Sequence, residues 1–328
     1  MSLYSLGYFE NTHWGNEGDF RWHDLPAAGY RVDGRFRRDR HRHPFFVLRN
    51  NATGEHFIGQ LAWSGGYSFE FDLDTDPGFL DQAARLFFRA GPDAPAPQRI
   101  IAPQEAVALP EMHLGLVFGD LDAAIQAMHD HLRQSVMMPQ ARGHGEWVES
   151  GIGPEIEITP EQVFNAIEAA SQAGAEVFFI DASWYSPPLG NWWTTVGNWE
   201  VNRQRFPEGI EPFRQRVHEK GMLWGLWMDA ERIGAESQVA KDHPDWIVSG
   251  SDGQKRSDGL LDLANPAVGR WLEAQIDQVI TKNELEFFRL DYNTLAPSVG
   301  YHTLRDGFVE NGYWRYYETI YAMYDRLR

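Results

Sequence analysis

The sequence lacks cysteine altogether, so disulfide bonds and thiolate chemistry are excluded. Basic residues are also scarce, since 29 Lys and Arg stand against 47 Asp and Glu. The resulting formal net charge of -18 argues against nucleic-acid binding. No glycine-rich loop of the kind that cradles phosphates occurs either.

Long apolar runs are missing as well, so no membrane span is predicted. The first residues, MSLYSLGYFENTHWG, lack the charged and apolar regions of a signal peptide, which predicts a cytoplasmic protein unless a longer N-terminus carries a signal for secretion. The 12 histidines show no metal-binding spacing, and neither a metal nor another cofactor is expected.

A polar strand end stands out among what is present. In the run Phe287 to Asn293, alternation places Arg289, Asp291 and Asn293 on one face of a strand. In parallel α/β proteins a carboxylate at a strand's carboxyl end usually faces the catalytic mouth. A buried ion pair between Arg289 and Asp291 is the alternative interpretation.

Two earlier apolar runs end in carboxylates too, at Asp181 and at Asp229. Helical spacing precedes each of the three strands, in residues 160–173, 209–220 and 266–283. Repeated strand, loop and helix units predict a parallel sheet, and side chains that converge at one end favour a closed barrel.

The front third alternates polar and apolar residues with glycine and asparagine between the runs, which predicts antiparallel strands. We therefore predict a multidomain chain. Residues 1–138 form an N-terminal antiparallel β-sandwich portion with a connecting helix. Residues 139–328 form a partial (β/α)8 TIM barrel, namely its first four βα units, and a last helix spans residues 309–328.

Six blocks in order carry a family resemblance: DASWY, GNWEVNRQRFPEG, GMLWGLWMDAERI, HPDW, LLDLANP and FFRLDYN. This series resembles glycoside hydrolase family 36, the melibiase-type α-galactosidases. The likeness runs from about Trp147 to the end, and residues 40–48 and 59–71 are similar to the late part of that family's β-sandwich domain. It implies a retaining, exo-acting enzyme that cleaves terminal α-galactosyl residues.

The resemblance also assigns roles. Asp291 matches the nucleophile that forms a covalent glycosyl-enzyme. Arg289 stands where the family usually has lysine, and Asn293 completes the strand motif. Asp181 matches the first carboxylate of a pair that binds galactose at C4 and C6. Ala182 replaces the second carboxylate, which weakens the case for unmodified galactose.

Aromatic and basic residues complete the candidate substrate site. Trp227 matches the family's active-site tryptophan, with a core aromatic as the alternative. Arg256 matches a substrate-binding arginine or is a solvated loop cation. Trp199 ends an aromatic loop, with Trp192 and Trp193, that either lines the sugar entrance or packs the loop.

The second catalytic carboxyl group is expected outside this chain, because the family places it well beyond the nucleophile. We therefore interpret the chain as a fragment that is inactive or weak by itself. Its exposed strand edges predict association into homo-oligomers. The expected partners are α-galactoside oligosaccharides or glycoconjugates. Alternatives are an α-N-acetylgalactosaminidase, a raffinose-synthase-like galactosyl transferase, or a non-catalytic sugar-binding fragment.

Overall fold

The computed structural model describes residues 2–11, 18–34, 42–74, 85–137, 148–153, 158–185, 192–250, 253–291 and 300–327. The chain separates into two compact units. One contains residues 1–141 with 303–311, and the other contains residues 142–302 with 312–328. The domain limits drawn from the sequence, 1–138 and 139–328, stay a prediction.

The first unit is built from antiparallel strands. One sheet has the order β2-β1-β4-β5-β8 and the other has the order β3-β6-β7. Their bounds are β1 Tyr4–Asn11, β2 Asp19–Asp24, β3 Tyr30–Asp33, β4 Phe45–Asn50, β5 Glu55–Leu61, β6 Tyr67–Asp74, β7 Arg85–Pro92 and β8 Met112–Phe118. The predicted antiparallel N-terminal part is therefore confirmed.

Aromatic rings join these two sheets. The ring of Phe46 on β4 lies 5.3 Å from that of Phe69 on β6 and 5.0 Å from that of Phe71. Phe88 on β7 is also 5.0 Å away, measured between ring centroids. Because alternate strand residues point to one face, one apolar face of each sheet is buried against the other.

A helix covers the other face of the larger sheet. Helix α1, Leu121–His131, begins at Asp120, whose side chain accepts a hydrogen bond from the backbone N–H of Ala123 at 2.9 Å. Its apolar side packs on the sheet through a buried cluster of Val47, Ile58, Ala124 and Met128.

The second unit contains the parallel sheet. Its order is β12-β11-β10-β9, and each neighbouring pair is parallel. The bounds are β9 Glu149–Ile152, β10 Val177–Ile180, β11 Leu223–Asp229 and β12 Phe287–Asp291, with helices α2 Pro160–Gln172, α3 Glu211–Glu219, α4 Gln238–Asp242, α5 Pro266–Lys282 and α6 Tyr313–Leu327. The α/β character of this part is confirmed.

Local signals explain where these helices begin. The Thr159 hydroxyl accepts from the N–H of Gln162 at 3.2 Å, and the Gln162 side chain accepts from the N–H of Thr159 at 2.8 Å. This reciprocal pair is a capping box, followed by proline at the first helical position. Among the helices described, none combines the length and apolar character required to cross a membrane.

The predicted final helix over residues 309–328 is too long. Two short strands, β13 Tyr301–Thr303 and β14 Val309–Asn311, precede α6. The β-branched side chain of Val309 suits an extended backbone, and Gly312 separates the strand from the helix. The sequence pattern therefore predicted the helix correctly only from Tyr313 onward.

Candidate active site

Carboxylates gather at the carboxyl ends of the parallel strands. Asp229 and Asp291 are register partners at the ends of β11 and β12. In a parallel sheet, register partners point to the same face. Asp181 directly follows β10, the next strand of the sheet. The sheet thus brings three acidic side chains to one end, as the sequence pattern indicates.

Asp291 is held by a tryptophan. The indole N–H of Trp227 donates a hydrogen bond to Oδ2 of Asp291 at 3.1 Å. Trp227 is itself buried, and its carbonyl accepts from the indole N–H of Trp184 at 2.8 Å. Both tryptophans are thereby fixed, so the Asp291 carboxylate has a defined orientation. A fixed, partly exposed carboxylate at a strand end can act as a nucleophile toward a bound sugar.

Asp229 lies in a different environment, because it is fully buried. Burial raises the pKa of Asp229 to about 6, and the charge of Asp291 pushes it in the same direction. Arg232, also buried, counteracts this effect through an ion pair of 2.5 Å between its Nε and Oδ2 of Asp229. The two neighbouring carboxyl groups therefore differ in exposure, since Asp229 is buried and Asp291 is partly exposed.

Asp181 caps the turn that follows β10. Its Oδ1 accepts a hydrogen bond from the N–H of Ala182 at 2.7 Å, and a 3₁₀ turn then runs from Ala182 to Trp184. Asp181 is partly exposed at the strand end, whereas Ala182 is fully buried. The Ala182 side chain therefore adds no open space to the site.

Arg289 forms an ion pair with Glu149 on β9. Its guanidinium carbon also lies 5.1 Å from the ring centroid of Phe179 on β10. Because β9 and β12 are the outermost strands of this sheet, the pair joins its two edges. The sheet must therefore be strongly curved, with Arg289 on the concave face.

Two other predicted site residues have local partners. Arg256 forms an ion pair with Asp258, and the ring of Trp199 lies 5.9 Å from that of Trp271 on α5. Trp199 also lines a cleft beside α5, together with Lys282 and Asn283. Their substrate roles stay predictions. Asn293 lies outside the described residues.

Two aromatic rings neighbour that of Trp227: Trp192, which the sequence analysis placed in an aromatic loop, and Tyr185, which was given no role there. The ring of Tyr185 is nearly parallel to that of Trp227 at 6.5 Å, and the ring of Trp192 meets it edge-on at 5.0 Å. Burial raises the pKa of Tyr185 well above its usual value, so its hydroxyl keeps its proton. Tyr185 is the last residue of the DASWY block, four residues after Asp181, and that membership is the sequence signal that could have found it.

Four buried polar atoms on the residues described above have no hydrogen-bond partner among the described residues. They are Oδ1 of Asp229, Nη2 of Arg232, the hydroxyl of Tyr185 and the indole nitrogen of Trp192. Across the same described ranges, no group of three His, Cys, Asp or Glu is arranged to hold a metal ion. The described chemistry is that of carboxylates and aromatic rings, a combination suited to neutral polar ligands such as sugars.

Comparison with known proteins gives this arrangement a family. The family model named melibiase matches residues 110–328. Alpha-galactosidase 1 from Pediococcus pentosaceus is 25% identical over 296 residues, which cover 87% of this chain and 39% of the relative. Alpha-galactosidase 2 from the same organism is 27% identical, with the same coverage. The chain belongs to the melibiase family, and the resemblance to glycoside hydrolase family 36 is confirmed.

Solved structures show the same fold. The α-galactosidase from Lactobacillus brevis has a TM-score of 0.81 at 24% identity. The match covers 99% of this chain and 44% of the Lactobacillus brevis chain. A variant of the family 36 α-galactosidase AgaA from Geobacillus stearothermophilus, in complex with raffinose, has a TM-score of 0.78 at 19% identity, with 99% of this chain covering 45% of it. The chain thus spans less than half the length of these relatives.

Proposed function

We propose that the protein is a retaining, exo-acting α-galactosidase and that Asp291 is its nucleophile. Asp291 attacks the anomeric carbon of a terminal α-galactosyl residue while the bond to the leaving oxygen breaks. A second, protonated carboxyl group, which we place outside residues 1–328, gives its proton to that oxygen. Water then releases the sugar from the glycosyl-enzyme, with overall retention.

The observation that supports this role most strongly is the fixed carboxylate at the end of β12. Its Oδ2 accepts from Trp227, while the neighbouring Asp229 is buried and ion-paired with Arg232. Only Asp291 of these two is partly exposed. A nucleophile must reach substrate, so this difference in exposure favours Asp291 over Asp229.

We further propose that the parallel sheet is the first half of a (β/α)8 barrel. Four parallel strands follow one another in chain order, as neighbouring barrel strands do. The ion pair of Arg289 with Glu149 supports the curvature that closure requires. In this arrangement Asp181, Trp227 and Asp291 belong to the catalytic mouth.

The proposed substrates are α-galactoside oligosaccharides or glycoconjugates. The relatives matched in sequence are named α-galactosidases, and two variants of AgaA were solved in complex with stachyose and with raffinose. We assign binding of the galactosyl hydroxyls to Asp181, and packing against the sugar ring to Trp227. Arg289, Arg256, Asn293 and Trp199 remain proposed substrate contacts.

The test is Asp291→Ala in the whole protein, assayed with nitrophenyl α-galactoside. Turnover should fall by about four to six orders of magnitude, as on removal of other catalytic nucleophiles. Azide should partly restore it and give the product of inverted configuration, because a small anion can occupy the vacated space. Near-normal turnover without azide would refute the assignment.

A parallel assay of the parent protein compares nitrophenyl α-galactoside with the corresponding α-N-acetylgalactosaminide. Preference for the galactoside supports the proposed activity, and preference for the amide-bearing sugar favours the alternative enzyme. Activity with neither would leave a sugar-binding role.

A further inference from the structure

Trp193 is an unusually exposed aromatic residue close to the proposed nucleophile. Its relative exposure is 40%, compared with 5% for Trp192 and 2% for Trp227. The ring of Trp193 stacks on that of Trp192 at 3.9 Å, and Trp192 in turn meets Trp227 edge-on. A continuous series of rings therefore leads from Asp291 outward to a solvent-exposed indole.

A cation fixes the outer end of this series. The guanidinium carbon of Arg232 lies 3.6 Å from the ring centroid of Trp193 and 5.1 Å from that of Trp192. The pair with buried Asp229 holds the guanidinium in place and offsets its charge. Desolvated cation–π contacts of this kind are among the stronger ones.

Backbone hydrogen bonds join the loop that contains Trp193 to the segment after β11. The N–H of Gly234 donates to the carbonyl of Val196 at 2.8 Å, and the N–H of Glu236 donates to that of Thr194 at 2.8 Å. A Cβ added at Gly234 would lie only 2.4 Å from the carbonyl oxygen of Trp193. The two segments approach so closely that the position of Trp193 is well defined.

We propose that Trp193 binds the leaving-group sugar of the substrate by stacking, and that Arg232 is the residue that positions it. This inference rests on the proposed α-galactosidase function. Trp227 is the ring next to Asp291 and belongs with the galactosyl residue, whereas Trp193 lies two rings farther out. The leaving-group part of an oligosaccharide, which lies beyond the cleaved bond, would extend from Asp291 toward Trp193.

A sugar is the occupant that suits this surface. Trp193 offers an open aromatic area whose motion is restricted, so little entropy is lost when a ligand stacks on it. The fixed rings and the ion pair leave the platform uncharged overall. A neutral ring with an apolar face therefore fits better than a charged group.

The test compares two alkyl galactosides in the whole protein: raffinose, whose leaving group is sucrose, and methyl α-galactoside, whose leaving group is methanol. Trp193→Ala should raise the KM for raffinose about three- to tenfold, several times more than the KM for the methyl glycoside. Phe87→Ala serves as the matched control, because Phe87 is 52% exposed and lies on β7 of the other unit. An equal change for both substrates, or none, would overturn the proposal.

Arg232→Lys tests the positioning role, since lysine keeps the charge toward Asp229 but loses the planar stacking group. It should raise the KM for raffinose in the same direction as Trp193→Ala and change kcat less. A loss of kcat that is equal for both substrates would assign Arg232 to the Asp229–Asp291 centre instead.

Titration calorimetry with raffinose and with galactose separates this proposal from the proposed function. A parent protein that hydrolyses neither glycoside refutes the function. The titrations use the Asp291→Ala background, which does not consume raffinose. The stacking proposal requires raffinose to bind this protein more tightly than galactose does, and to lose that advantage when Trp193→Ala is added. Equal binding of raffinose with and without Trp193→Ala refutes it, whatever the activity of the parent.

Discussion

Asp229 is a side chain whose negative charge is costly to this fold. It is fully buried, and its folded-state pKa of about 6 exceeds its ordinary value of 3.8. Burial is the main cause, Asp291 adds to it, and Arg232 limits it. Between these two pH values the folded state binds more protons than the unfolded state, so stability falls as pH rises.

Asp229→Asn should remove this dependence. The free energy of unfolding of the parent, measured relative to the variant, should fall by about 2 kcal/mol between pH 4 and pH 6.5. This is most of the ~3 kcal/mol that a shift of 2.2 pKa units, at about 1.4 kcal/mol each, gives over a complete titration. Urea unfolding at several pH values measures it. Asp245→Asn, on the exposed 244–246 turn, is the control. A difference between parent and Asp229→Asn that does not change with pH would show an ordinary pKa.

Asp181 has two interpretations that one substitution separates. If Asp181 binds galactose hydroxyls, Asp181→Asn should lower kcat/KM for galacto-configured substrates by about 10- to 100-fold, since a hydrogen bond to a charged group contributes about 1.5–3 kcal/mol. If Asp181 only caps the 182–184 turn, the substitution should lower the melting temperature and leave the ratio of galactoside to glucoside turnover unchanged. Both quantities are measured on one preparation.

Ala182 gives a related expectation. The resemblance places a second carboxylate at this position, but the side chain is fully buried here. A carboxylate introduced there would lose its hydration without an evident partner. Restoring the family's acidic pair therefore requires changes in the surrounding turn, which sequence comparison alone does not reveal.

The loops, rather than the strands, determine the shape of the proposed site. The strands place Asp229 and Asp291 side by side, but the segments after β10 and β11 supply Trp192, Trp193 and Arg232. These segments are joined by backbone hydrogen bonds at Gly234. A substitution that disturbs the junction between these two segments should therefore displace the aromatic rings.

Gly234→Ala is that perturbation. The added Cβ would meet the carbonyl carbon and oxygen of Thr194 at 2.3 Å, so the backbone must shift. We expect the free energy of unfolding to fall by about 1–3 kcal/mol, as in overpacked sites. Gly91→Ala is the matched control, because no atom lies within 4 Å of its added Cβ. Chemical denaturation measures both, and equal stabilities would contradict the close approach.

Across the whole molecule, the features that depend on consecutive residues could be predicted from the sequence. The capping box at Thr159 and the carboxylates at three strand ends are written in consecutive residues, because helix and strand periods set which side chains share a face. Contacts between distant segments were not. Arg289 and Glu149 are 140 residues apart, and nothing in either motif indicates the ion pair. The cation–π contact between Arg232 and Trp193 also depends on how two loops meet, and neither loop sequence indicates it.

In the proposed mechanism, the two catalytic groups come from different parts of the protein. Residues 1–328 contain Asp291, while the proposed acid that protonates the leaving oxygen lies elsewhere in the protein. Residues 1–328 alone should therefore fail to cleave melibiose, whose alkoxide leaving group needs a proton. Nitrophenyl α-galactoside, whose leaving group departs without one, should react slowly, and Asp291→Ala should abolish even that. Efficient melibiose hydrolysis by residues 1–328 would mean that a carboxyl group within them, with Asp229 the first to examine, acts as the acid.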